Sequence, residues 1–144
     1  MYSLSLKEFL RLSQKGNLIP LYKEINADLD TPVSALLKLK SGDYAFLLES
    51  VAGQEKIARY SFLGVRPALV FKSKDRNIRI EDLRRHSVRS FAAHSDPLDE
   101  IKKLMLRFKP VEIKGLPRFY GGLVGYIGYD MVRFFEKLPD NKRD

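Results

Sequence analysis

The sequence predicts an α+β fold with antiparallel sheets and flanking helices. Stretches with helix caps and apolar residues at helical spacing lie near the N-terminus and again after residue 95. Between them, short runs rich in β-branched and aromatic residues follow one another across short loops, as in hairpins. Strand and helix do not alternate strictly, as a parallel sheet would require.

The first 26 residues predict a helix followed by an edge strand. Ser5 and Glu8 have the spacing of a capping box, in which each side chain accepts a hydrogen bond from the other residue's backbone N–H. We expect this helix to end at Gly16. Residues 17–26 alternate loosely between apolar and polar, and Pro20 within them confines such a strand to the border of a sheet.

A second helix and three strands are predicted next. Asp30-Thr31-Pro32 sets a capping residue before a proline that fits the first helical turn, and Gly42 is placed to end the helix. After Gly42 the apolar period becomes that of short strands, separated by loops that contain glycine or proline. These strands cover residues 44–50, 57–63 and 68–73.

The segment after the third strand predicts a hairpin. Residues 74–77 include the turn-forming Asp75 and Asn77, and the alternating residues 78–81 follow them. Residues 83–95 show little pattern, and we expect a loop or an irregular strand there.

The last third of the chain predicts a helix, a strand and a short helix. Asp96-Pro97 opens a helix whose acidic residues come first and whose basic residues come last, the order that the helix dipole favours, and Pro110 stops it. Residues 119–127 predict a strand that contains several glycines, and residues 129–136 predict a short helix.

Composition excludes several classes of protein. The 144 residues include no Cys, which excludes a disulfide framework and suits a reducing compartment. No apolar run reaches the roughly 18–20 residues of a membrane-spanning helix, so we expect no membrane partner. Residues 1–16 mix charged side chains with leucines, unlike a signal peptide. We therefore expect a cytoplasmic protein.

The net charge of +8 is concentrated in two stretches. Residues 72–90 hold seven basic and three acidic residues, a balance of +4, and residues 101–118 hold six basic and one acidic, a balance of +5. Most basic residues of the second stretch lie opposite an apolar helical stripe, as on a solvated helix face. We expect no nucleic-acid partner, although a basic nucleic-acid-binding domain stays as an alternative.

No catalytic set can be assembled from the residue types and their spacing. His86 and His94 have no Cys or further ligand at metal-binding spacing, so we expect exposed histidines and no metal site. The glycines of residues 121–128 lack the helix and the distal acid of a dinucleotide-binding fingerprint, and they favour a bend or a close backbone approach.

One strand end has an unusual pair of polar residues. In Leu47-Leu48-Glu49-Ser50 an apolar strand finishes in a carboxylate and a hydroxyl. Glu49 would suit the ammonium group of a bound amino acid, and Ser50 would suit its polar end. The simpler alternative is a solvated strand end at which Ser50 starts a turn. The pattern alone leaves both open.

Three blocks of sequence together resemble a known family. They are Leu47-Leu48-Glu49-Ser50, residues 59–64 with Pro67, and residues 117–130 with Arg133, Glu136 and Leu138-Pro139. In this order they are similar to the N-terminal region of anthranilate synthase component I, a chorismate-utilising enzyme. Component I of para-aminobenzoate (aminodeoxychorismate) synthase shares these blocks and is the close alternative.

The resemblance implies a fold, an activity and a regulatory site. The family fold is a layered sandwich of orthogonal antiparallel sheets with helices outside. The intact enzyme, a lyase, makes anthranilate and pyruvate from chorismate, with ammonia from a glutamine amidotransferase subunit, and tryptophan inhibits it. The resemblance assigns part of the tryptophan site to Leu48, Glu49 and Ser50. A free-standing amino-acid-binding module would use the same residues and is a further alternative.

The resemblance also implies what residues 1–144 do not contain. In the family, the catalytic residues and the ligands of Mg²⁺ lie in a C-terminal chorismate-binding domain, so we expect residues 1–144 to be an N-terminal region with no catalytic residue, metal ligand or cofactor of its own. The family's N-terminal strands pair with C-terminal ones. We therefore expect this chain alone to self-associate.

Overall fold

A computed structural model describes residues 2–49, 60–117 and 119–137. It confirms the predicted α+β class, with helices and two small antiparallel sheets. The elements are α1 (Leu6–Ser13), α2 (Pro32–Leu39), β1 (Ala45–Glu49), β2 (Ser61–Val65), β3 (Leu69–Lys74), β4 (Asn77–Asp82), β5 (Ser87–Ala92), α3 (Pro97–Met105) and a 3₁₀-helix (Tyr129–Phe134).

The first two helices begin where their capping residues predict. At α1, Ser5 Oγ accepts a hydrogen bond from the Glu8 backbone N–H at 3.3 Å, and the Ser5 N–H donates to Glu8 Oε2 at 2.9 Å. At α2, Thr31 and Ser34 form the same reciprocal pair at 3.1 and 3.0 Å. Both helices therefore satisfy N-terminal backbone donors locally, which defines their first residue.

The two sheets are built differently. β1 and β2 form a two-stranded antiparallel sheet, against which α2 packs. Within it, the Phe46 ring covers Gly64 on the facing strand so closely that a methyl group there would overlap the ring. β3, β4 and β5 form a three-stranded meander. Its first turn has the predicted hairpin geometry, with Asp75 at φ +52°.

The most buried side chains come from β4, from the chain that leaves β5, and from α3 and the segment after it. Ile78 is 1% exposed, and the others of this group are Ala93, Pro97, Leu104 and Val111. Many large apolar side chains elsewhere are exposed, among them Leu29 and Tyr126. The core of the described residues is therefore small for a chain of 144 residues.

The segment after α1 is joined to the segment after α3. The Asn17 side chain donates to the Arg107 carbonyl at 2.8 Å and accepts from the Lys109 N–H at 2.7 Å. The Val111 N–H donates to the Leu18 carbonyl at 2.9 Å. These hydrogen bonds connect residues about ninety positions apart.

Gly16 allows this junction to close. A Cβ atom at Gly16 would overlap the Lys109 carbonyl oxygen and lie 2.8 Å from Val111 Cγ2. We expect Gly16→Ala to lower the free energy of unfolding by about 1–3 kcal/mol, the usual range for overpacking, as measured by urea unfolding. Gly128→Ala is the matched control, because Gly128 has φ −66° and open space around it. Equal stabilities of the two variants would contradict the close approach.

Two predictions were wrong: the edge strand over residues 17–26, and the position at which the third helix ends. Residues 17–26 form no edge strand: they contribute one isolated parallel bridge, between Leu18 and Pro110. Pro20 and Pro110 both lack a backbone N–H, so neither segment can extend the bridge into a ladder. α3 ends at Met105, earlier than the predicted stop at Pro110.

Two further predictions were wrong about where strands form. β5 is a regular strand within the segment where a loop or irregular strand was expected; it shows no alternation because most of its side chains, including Val88, are exposed. Conversely, residues 119–127 form no strand in the described positions. Gly121 and Gly122 take φ values of +154° and +141°, which interrupt an extended ladder.

The outer face of the meander carries an ion triad. Lys72 and Arg79 lie directly opposite each other on β3 and β4. Glu81 Oε1 accepts from Arg79 Nε at 3.0 Å and from Lys72 Nζ at 3.3 Å. These hydrogen bonds, first from Arg79 and then from Lys72, hold the pKa of Glu81 below its ordinary value of 4.5. The carboxylate thus separates two like charges.

The lowered pKa of Glu81 predicts how the triad depends on pH. Its contribution to stability is present above pH 4.5 and is lost as the pH falls through the lower folded-state pKa. We expect Glu81→Gln to lower the melting temperature slightly at neutral pH, because exposed ion pairs contribute little, and the difference from wild type to shrink below pH 4.5. Glu112→Gln, at an exposed carboxylate, is the control; a difference that grows on acidification would contradict the triad.

Candidate functional site

An open apolar groove lies beside the end of β1. Its volume is about 390 Å³, and one wall comes from Leu48 and Phe62, which face each other across β1 and β2. The other wall comes from the glycine-containing segment near the end of the described chain. The lining residues are Leu48, Phe62, Phe119, Leu123, Val124 and Gly125.

Aromatic rings hold the two walls together. The Phe62 ring meets Phe119 edge-on, with centroids 5.2 Å apart and planes at 88°, the arrangement that aromatic quadrupoles favour. The Phe62 ring also stacks on the Tyr60 ring, with their centroids 6.0 Å apart. The positive φ angles of Gly121 and Gly122 redirect the chain between Phe119 and Leu123, so both side chains line one groove.

The three predicted site residues occupy different positions relative to the groove. Leu48 lines it and is 48% exposed. Glu49, the last residue of β1, is exposed, pairs with Ser61 and is not among the lining residues. Because side chains alternate between the faces of a strand, Leu48 and Glu49 point to opposite sides. Ser50 lies outside the described residues.

This geometry limits which ligand both residues can contact. The groove offers aromatic and aliphatic surface, which suits a flat apolar ring. A carboxylate on the opposite face is reachable only around the end of the strand. A ligand that touches both Leu48 and Glu49 must therefore place its ring in the groove and its polar end beyond the last paired residue of β1.

The strand end stands out in the sequence, but the groove does not. Phe62 and Phe119 belong to blocks that the family resemblance used, yet no local pattern shows that they meet. The histidines behave as expected: His86 and His94 are both exposed. Among the described residues, no group of three His, Cys, Asp or Glu side chains is placed to hold a metal ion. No helix in the described ranges is long and apolar enough to span a membrane.

Comparison with known proteins points to one group of enzymes. The chain is 41% identical over 143 residues to a protein of Aquifex aeolicus, a match that covers 99% of this chain and 28% of the relative. It is 39% identical to a protein of Acetivibrio thermocellus (100% of this chain, 28% of the relative) and 46% identical to one of Pseudomonas aeruginosa (91% and 26%). No family model and no solved structure matches it.

The chain is thus homologous, over nearly all its length, to one part of a larger enzyme component, and it spans about a quarter of the length of these relatives. All three are named anthranilate synthase component 1. The resemblance to that family is confirmed, and the chain is consistent with an N-terminal region of it.

Proposed function

We propose that the intact protein containing this chain is component 1 of an anthranilate synthase. It would convert chorismate into anthranilate and pyruvate, with ammonia supplied by a glutamine amidotransferase subunit in the cytoplasm. The observation that carries this proposal is the 39–46% identity over at least 91% of the chain to proteins of that name. The para-aminobenzoate enzyme is the second candidate, and the common name of these relatives favours the first.

Within the intact protein we assign this chain a regulatory and structural role. Tryptophan would place its indole in the groove, against Leu48 and the Phe62–Phe119 pair, where apolar and aromatic surface is available. Its ammonium group would meet the Glu49 carboxylate around the strand end, and its polar end would meet Ser50. The groove is open on one side, so the site needs a further wall, in addition to these two, from outside the described residues. This favours a shared site over a free-standing binding module.

We assign Mg²⁺ to no site among the described residues. They contain no cluster of three candidate ligands, and we assign no catalytic step to a metal in this chain. In the proposal, Mg²⁺ and the reacting groups belong to the remainder of the intact protein. This chain then supplies the effector site and packing surface.

Product analysis tests the proposed function. We expect the intact protein, given chorismate, Mg²⁺ and ammonium ions, to release fluorescent anthranilate and pyruvate in equal amounts, and residues 1–144 alone to release neither. Formation of aminodeoxychorismate without pyruvate would favour the para-aminobenzoate enzyme. Anthranilate formation by pure residues 1–144 would overturn the assignment of catalysis to the remainder.

A further inference from the structure

A second cavity lies between the two sheets, and none of its described lining residues belongs to the groove. Its volume is about 410 Å³, within the usual range of small-molecule sites. It is formed where the chain enters β1, leaves β2 and turns from β4 to β5. Its lining residues include Ser41, Tyr44, Arg66, Pro67, Leu83 and Arg84.

Two arginines give this cavity a positive lining. Arg66 lies in the connection between the two sheets and Arg84 in the turn from β4 to β5. Neither guanidinium forms an ion pair with a carboxylate of the described residues. Asp43 is the one carboxylate among the described lining residues, which together carry a net charge of +1. Lys72 lies beside it, donating to Tyr44 Oη at 2.9 Å. A guanidinium matches a carboxylate or phosphate group with paired N–H donors.

The wall that carries Arg84 is preorganised. Asp82 Oδ1 accepts hydrogen bonds from the backbone N–H groups of Arg84 and Arg85 at 3.1 and 3.0 Å. The Leu83 N–H donates to the Ala68 carbonyl at 3.0 Å, which ties this turn to the start of β3. The backbone that presents Arg84 is therefore fixed before any ligand binds.

Arg66 has an unusual backbone conformation. It lies at φ +51°, and the other described residues besides glycine with positive φ, Asp75 and His86, are in the turns of the meander. Arg66 instead joins the two sheets and precedes Pro67, which disfavours helical conformations at the residue before it. Such strain persists where the surroundings hold a side chain in a required position.

We propose that this cavity binds a small organic anion, whose carboxylate or phosphate group is held by Arg66 and Arg84. The apolar body of the anion packs against Pro67 and Leu83, and the hydroxyl groups of Ser41 and Tyr44 lie within the same lining. Asp43 opposes binding, because it places a like charge in the cavity. The site is separate from the proposed tryptophan groove and does not depend on the proposed function.

The test measures binding of phenyl phosphate, benzoate and inorganic phosphate to the intact protein by calorimetry, with hydrogen exchange at residues 41–44 and 83–84 to locate it. We expect Arg66→Gln and Arg84→Gln each to weaken binding about tenfold or more, as loss of a charge-assisted hydrogen bond does. Asp43→Asn should strengthen it. Arg89→Gln is the control, because it removes an equal charge from a side chain that stacks on Phe91, 4.9 Å away.

The outcomes separate the alternatives. Tighter binding of phenyl phosphate than of benzoate identifies a phosphate ligand, and the reverse order identifies a carboxylate ligand. Absence of binding, or binding that neither arginine variant changes, overturns the site. If Arg89→Gln loses as much affinity as the two variants, the effect comes from net charge alone, and this outcome also overturns the site. If inorganic phosphate binds as tightly as phenyl phosphate, this contradicts the proposed packing of an apolar group against Pro67 and Leu83.

Discussion

Replacing Glu49 with Gln, or Ser50 with Phe, in the intact protein is expected to raise the tryptophan concentration for half-maximal inhibition by roughly ten- to a hundredfold. Loss of one charge-assisted contact typically costs about 1.5–3 kcal/mol, which corresponds to that range. The phenyl ring at position 50 would also occupy space that the ligand needs. The Michaelis constant for chorismate should stay nearly unchanged, because neither residue is assigned to the reacting site.

Initial-rate measurements of anthranilate formation across tryptophan concentrations provide the check. Glu112→Gln is the matched control, since it removes an exposed carboxylate outside the groove and should leave inhibition unaltered. Leu48→Ala separates ring binding from charge recognition: it should weaken inhibition through lost apolar contact alone. If tryptophan inhibits Glu49→Gln, Ser50→Phe and Leu48→Ala all as strongly as wild type, the effector site lies elsewhere.

Residues 1–144 alone are expected to associate into dimers or larger assemblies. Apolar side chains that a folded monomer would usually cover are more than half exposed, including Leu6, Ile25, Leu29 and Tyr126. β1 and β2 each pair with one strand only among the described residues, which leaves backbone donors and acceptors along two edges. Pairing between copies would satisfy both features.

Light scattering across a dilution series measures this association. We expect a mass at least twice 16.6 kDa at high concentration. Added salt should strengthen the assembly, because it screens the repulsion between copies that each carry +8. A monodisperse monomer at high concentration, with slow amide exchange along β1 and β2, would show that the chain covers its own core.

Local signals predicted the elements whose determinants lie within a few residues. The Ser5–Glu8 and Asp75 signals are of this kind, because capping hydrogen bonds and turn conformations involve near neighbours. β5 escaped prediction because its exposed side chains leave no alternation to detect. Residues 119–127 have a strand-like composition, but glycine conformations and the contact with β2 decide their path.

The candidate site was predictable only in part for a related reason. Leu48 and Glu49 stand out because polar residues end an apolar strand. The groove depends on Phe62 meeting Phe119, a contact between residues far apart in sequence that periodicity does not encode. The cavity with Arg66 and Arg84 likewise forms from three separate connections, each of which resembles an ordinary loop in the sequence.

Hydrogen exchange of the intact protein with and without tryptophan tests most directly whether the strand end and the glycine segment form one effector site. We predict that saturating tryptophan slows amide exchange in residues 45–49 and in residues 119–127 together, because one ligand bridges both walls of the groove. The protection should be smaller in Glu49→Gln at the same tryptophan concentration, because that variant binds tryptophan more weakly. Protection confined to other parts of the protein, with both segments unchanged, would contradict the account.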